Sequence, residues 1–259
     1  MTCGRYRIIT IAAFLLILCF AEASSAEQRP PQDADSIFHK ASLYYEASQY
    51  DEAIAQYSLL LKQGLESGPL FYNLGNCYFK KGEVGRAILN YERARRIIPS
   101  DGDLEANLNC AASFLQWTPR DDSAPPYERL LKRLFGGLSL NGLIILLSII
   151  YTSFMLILIA RIYFKGFRRY AMTPMVILIG LFILGSSSLY GRISTMGKEA
   201  IAVADLAEVK IEPFDRAPAQ FTLYEGMKIR VMDSKREWIK IRTSDKRVGW
   251  IRASTIEVI

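Results

Sequence analysis

The chain has 259 residues, 51% of them hydrophobic, with a mean hydropathy of +0.12 and a formal net charge of +6. That charge is unevenly spread: 27–126 carry a net −4, 127–197 a net +7 and 198–259 a net +2. A basic excess confined to the most apolar third suits anionic lipid head groups and membrane topology, whereas a nucleic-acid protein needs a basic face on a folded domain, so nucleic acid is not an expected partner.

Residues 1–26 read as a secretory signal peptide. Arg5 and Arg7 precede a thirteen-residue apolar core at 8–20, and small residues offer cleavage after Ala23 or Ala26. Cys19 follows Leu18 rather than the small residue that lipid attachment wants, and an uncleaved anchor is the alternative reading. Residues 27–35 form a polar lead-in, with Asp35 or Ser36 placed to cap the first helix.

Residues 36–116 contain an internal repeat. YDEAIAQYSLL at 50–60 aligns with VGRAILNYERA at 84–94, so Ala53 and Ala87, and Tyr57 and Tyr91, are each 34 residues apart; Ala41 and Gly75, and Tyr44 and Tyr78, match in the same way. The small residues sit where two helices of one unit touch closely, and tyrosines and leucines fill the space beside them. This period and pattern resemble the tetratricopeptide repeat. Pro99 stops the second helix of the second unit, and a capping helix starts near Asp101 with Leu104, Leu108 and Ala111/Ala112 on one face.

First helices of such units line a concave surface that takes an extended peptide or a partner's helix. Here that surface should include Phe38, Ser42, Tyr45, Tyr72, Asn73, Asn76, Phe79 and Lys80. The two asparagines either hydrogen-bond a peptide backbone or satisfy local groups. The lysine-rich clamp that some tetratricopeptide domains close on a C-terminal carboxylate is not expected, because Phe38, Asp103 and Asn107 stand at its basic positions. Cys77 and Cys110, 33 residues apart, fall on neighbouring helices; they form either a disulfide or, by default, two buried small hydrophobes. With His39 the only histidine, neither a metal site nor a cofactor is expected.

Residues 117–137 comprise a proline-rich, acidic linker and a short amphipathic stretch. Leu130, Leu131, Leu134 and Phe135 share one face and Arg129, Lys132 and Arg133 the other, as in a helix lying at lipid head groups; the alternative is a simple extension of the first span. Two uncharged apolar runs follow, at 138–160 and 172–190, each long enough to cross a bilayer. The intervening 161–171 holds Arg161, Lys165, Arg168 and Arg169, and short basic loops stay in the cytoplasm. Together with an N-terminal export signal this places both soluble modules on the periplasmic side of a bacterial inner membrane. Small Ser148, Thr152, Ser187 and Gly191 would let the two helices approach closely.

Residues 198–259 switch to strand-like alternation, in five or six short strands with turns expected at 213–218, 225–226, 233–235 and 244–247. LYEGM at 223–227, WIKI at 238–241 and VGWI at 248–251 resemble the bacterial variant of the Src homology 3 domain, a small barrel that binds peptides or cell-wall material or packs on a neighbouring domain. Ile211-Glu212-Pro213 departs from the usual arginine-serine start of its binding loop, which leaves the ligand open. Trp238 and Trp250 serve either as packing or as a binding platform.

The expected architecture is therefore a multidomain membrane protein: an all-α tetratricopeptide repeat solenoid, a two-helix transmembrane hairpin and a small all-β Src homology 3-like barrel. In this order the modules resemble the E-type proteins of bacterial aerotolerance (Bat) operons. The resemblance implies a non-enzymatic protein-interaction scaffold working with membrane proteins that carry von Willebrand A domains and with a MoxR-type ATPase. The alternative is an envelope protein whose barrel grips peptidoglycan. Phosphate-loop, zinc-protease and nucleophile-elbow motifs are all missing from the sequence, so an enzyme is not expected.

Overall fold

A computed structural model of the chain describes residues 33–115 and 125–259. The signal peptide, and with it the question of Cys19, lies outside the described residues, as does 116–124 of the linker. Five helices come first: α1 (Ala34–Glu46), α2 (Tyr50–Lys62), α3 (Gly68–Lys80), α4 (Val84–Ile97) and α5 (Gly102–Ser113). The repeat is visible in the backbone. Ser48 N donates to Tyr45 O and Gln49 N to Tyr44 O after α1; Gly82 N donates to Phe79 O and Glu83 N to Tyr78 O after α3, the same pattern 34 residues on. Ser48 and Gly82 both take a positive φ, and only the second repeat uses glycine for it. Ala41, Ala53 and Ala87 are fully buried between paired helices. Helix α1 begins at Ala34, with Asp33 rather than Asp35 or Ser36 at the cap position, and Ser36 Oγ donates back to Asp33 O. Asp101 does cap α5, accepting from Leu104 N at 2.9 Å.

Helix α6 (Pro126–Phe135) is separate from α7 (Leu140–Tyr163), so it does not extend the first apolar helix. α7 and α8 (Met172–Thr195) are each 24 residues long, about 36 Å, and are long and apolar enough to cross a membrane. Both outrun the uncharged runs, taking in Arg161 and Arg192 in their last turns. Arg192 donates to Phe135 O and Leu138 O, satisfying carbonyls of the α6–α7 turn. The close approach of the two helices is made at Gly185 and Ser188, not at Ser187 and Gly191, which are exposed; Leu147 Cδ2 lies 2.8 Å from where a Gly185 Cβ would be. Ser148 and Thr152 instead bond their own helix, to Ile144 O and Ser148 O.

Three residues after α8 the chain enters an antiparallel sheet of seven strands: β1 (Glu199–Ala202), β2 (Leu206–Lys210), β3 (Ala219–Tyr224), β4 (Lys228–Lys235), β5 (Trp238–Thr243), β6 (Val248–Arg252) and β7 (Ile256–Val258). Their order is β3-β2-β6-β5-β4-β1-β7, with β3 and β7 at the edges, so the sheet is not closed into the expected barrel. The reason is at the β7 edge: β7 has only three residues, and the carbonyls of Val258 and Ile259 accept from Arg93 and Arg96 of α4 rather than from β3. The β4–β5 turn falls at Arg236–Glu237, later than expected, because a bulge between Val231 and Asp233 lengthens β4 and Arg236 supplies the positive φ. The inner face is packed by Ala200, Val209, Leu223, Ile229, Ile241 and Ile251. Trp250 is buried beside this cluster and Trp238 is half-buried. Lys210 and Arg252 lie over the Trp238 ring, and Lys235 and Lys240 over the Trp250 ring.

The sheet does not hang apart from the helices. Ile201, fully buried, joins the core formed by Phe71, Ile88, Leu89 and Tyr91. Glu225 Oε2 accepts from Gly85 N at 3.0 Å, a carboxylate placed on the positive end of α4 from the other half of the chain. A Cβ at Gly85 would lie 3.0 Å from Ala202 O and 3.3 Å from Gly226 N, so this glycine admits the approaching sheet. Glu199 bridges Arg96 at 3.0 Å and Lys228 at 2.9 Å, and Lys228 also reaches Glu92 at 3.5 Å. Burial alone would push the Glu199 carboxyl up, but Lys228 and Arg96 reverse that and hold it below its ordinary value of 4.5. A depressed carboxyl contributes stability above its unfolded value and loses it as pH falls through the folded one. The docked state is thus expected to weaken as pH drops below about 4.5, and Glu199→Gln to flatten that dependence. Acid titration of thermal stability in both forms checks it; equal acid sensitivity would refute the assignment.

Candidate functional site

The first helices α1, α3 and α5 form one face of the array, and a groove runs along it in two joined hollows of about 220 and 280 Å³. Ser42, Tyr45, Glu46, Tyr57, Asn73 and Asn76 line the first, and Tyr45, Tyr72, Asn76, Phe79, Lys80, Tyr91, Asn107 and Cys110 the second. Seven of the eight residues expected on this surface line it. Phe38 does not: its ring packs edge-on against Tyr57, with centroids 5.4 Å apart.

The groove floor is a hydrogen-bond network that repeats with the helices. Tyr57 Oη, from the second helix of the first pair, bonds Ser42 Oγ at 3.0 Å and accepts from Asn73 Nδ2 at 3.0 Å. One unit on, Tyr91 Oη donates to Asn76 Oδ1 at 2.7 Å, and Asn107 Nδ2 donates to Asn76 Oδ1 and Tyr72 Oη. Tyr91 reaches through from the outer layer because a glycine faces it: a Cβ on Gly75 would lie 2.5 Å from the Tyr91 ring. Burial pushes the Tyr57 and Tyr91 hydroxyls up, in Tyr57 against its bonds to Ser42 and Asn73, so both stay protonated.

The asparagines satisfy local groups, but each with only half of its amide. Asn73 spends its N–H on Tyr57 and Asn76 its oxygen on Tyr91 and Asn107. Among the described residues no hydrogen bond uses Asn73 Oδ1 or Asn76 Nδ2, which leaves one acceptor and one donor, the complement of a peptide unit. The cysteines are both free; Cys77 is buried, its thiol pushed up to about 12 by that burial, whereas Cys110 is exposed at the groove, contrary to the expectation that both pack inside. Sequence reasoning missed Glu46, Tyr57, Tyr91 and Asn107 as groove residues. The signal was available: Glu46 is 34 residues before Lys80, and Asn107 is 34 after Asn73.

No protein-family model matches this chain, and no curated protein matches it in sequence.

Proposed function

We propose that the chain is a non-enzymatic, membrane-anchored interaction scaffold whose helical groove holds a segment of a partner protein. The observation that carries this reading is the half-used pair of amides between Tyr45, Tyr72 and Phe79 on a preformed, hydrogen-bonded floor. The 34-residue equivalence of the two helix pairs supports a tetratricopeptide-type array, and the strand order with its glycine-tryptophan strand supports a Src homology 3-like, opened sheet. In this reading α7 and α8 cross the inner membrane as a hairpin with a cytoplasmic basic turn, α6 lies at the head groups, and the array and sheet face the periplasm. The aerotolerance-operon resemblance points to von Willebrand A-domain membrane proteins as partners. Peptidoglycan binding through the sheet is the weaker reading, because lysine and arginine side chains cover the indole faces that sugars would stack on.

The test compares Tyr45→Ala/Asn76→Ala with Trp238→Ala in the full chain, purified from membranes under mild detergent. Loss of a stoichiometric membrane-protein partner is expected only in the groove variant. Sedimentation of the full chain with purified peptidoglycan, abolished by Trp238→Ala, would overturn the scaffold reading.

A further inference from the structure

The groove carries opposite charges at equivalent places. Glu46 is the last residue of α1 and Lys80 the last of α3, 34 positions on. One lines the smaller hollow and the other the larger, and the hollows share Tyr45 and Asn76. Neither side chain has an ionic partner among the described residues. Neighbouring Lys81 makes the contrast, paired to both Asp51 at 2.6 Å and Glu83 at 2.8 Å. A lysine at a helix C-terminus is locally favourable, but a glutamate there opposes the helix dipole, so Glu46 is not placed for the stability of α1.

Building on the groove reading, we infer that the occupant is an extended peptide segment bearing a basic residue for Glu46 and an acidic residue for Lys80, three positions apart. The separation follows from the repeat. First helices of successive pairs stand on the order of 10 Å apart. A polyproline II segment turns once in three residues over about 9 Å, so its residues i and i+3 point to the same side at that spacing. In the hollow that Glu46 lines, Asn73 Oδ1 and Asn76 Nδ2 are free to bond the peptide backbone. The two charges also fix the direction in which the segment lies, since reversing it would put like charges together.

The probe is a phage-displayed random dodecapeptide library panned against the full chain in lipid nanodiscs. Enriched peptides should carry Lys/Arg and Asp/Glu at i and i+3 in one preferred order. Glu46→Gln and Lys80→Gln should each weaken a selected peptide by about fivefold, and the double swap E46K/K80E should prefer the same peptide with its charges exchanged. Enriched peptides that lack the pair but are still lost with Tyr45→Ala would overturn the charge assignment and leave the groove standing. Peptides indifferent to Tyr45→Ala, or none at all, would sink the groove reading together with it.

Discussion

Ile201→Asp is expected to part the sheet from the helices. Ile201 is fully buried, and although it belongs to a four-residue strand its side chain packs with Ile88, Leu89 and Phe71 of the helical half. An unpaired carboxylate there would cost about 4 kcal/mol or more, enough to exceed what a small interface contributes. The ion pairs cannot compensate, because Arg93, Arg96 and Lys228 are partly exposed and solvent screens them. Hydrogen exchange in the full chain reads the outcome. Amides of α4 and β1 should lose protection together, while β2 and β3, at the far edge, keep theirs; Ile201→Val, costing about 1 kcal/mol, should leave both halves protected. If α4 stays protected in the aspartate variant, the two halves are not one cooperative unit.

That docking bears on how the groove is presented. The sheet takes the outer helix α4, so the opposite face, lined by α1, α3 and α5, is the one left open. The sheet begins three residues after α8, and Ser100, at the turn before α5, donates to Gly137 O at the entrance to α7. The helical array is therefore held to the apolar helices at two points, through the sheet and through this turn. A partner segment lying in the groove would meet a fixed surface rather than one swinging on a linker, which lowers the ordering cost of binding.

Which parts of this were legible in the sequence follows from what each signal encodes. The small residues Ala41, Ala53, Gly75 and Ala87 recur because helix contacts recur, so the repeat and its inner face could be read from spacing alone. Strand alternation marks which side chains turn inward, and it marked five or six of the seven strands, the three-residue β7 being too short to show it. It does not say which edges meet, and the open β3 and β7 edges were missed for that reason. The docking was invisible because its residues look ordinary. Gly85 stands where the first repeat has Asp51, and nothing in the repeat requires a glycine there; only the approach of Ala202 and Gly226 explains it. Glu225 was read as part of a turn, yet its carboxylate completes a helix 140 residues earlier in the chain.

Gly75→Ala is expected to destabilise the protein although it adds a better helix former. In an open helix the change should gain roughly 0.5–1 kcal/mol. Here the new methyl would lie 2.5 Å from Cδ1 and Cε1 of Tyr91, a side chain that is 1% exposed and anchored at 2.7 Å to Asn76. Overpacking of this kind costs about 1–3 kcal/mol, so the net effect is a loss. The same displacement would pull the Tyr91 hydroxyl away from Asn76 and disturb the groove floor, coupling a core change to binding. A double-mutant cycle isolates the contact: in a Tyr91→Val background, where those ring atoms are gone, Gly75→Ala should become neutral or stabilising. Denaturant titration of the four forms measures it, and an equal penalty in both backgrounds would show that the tyrosine is not what the glycine makes room for.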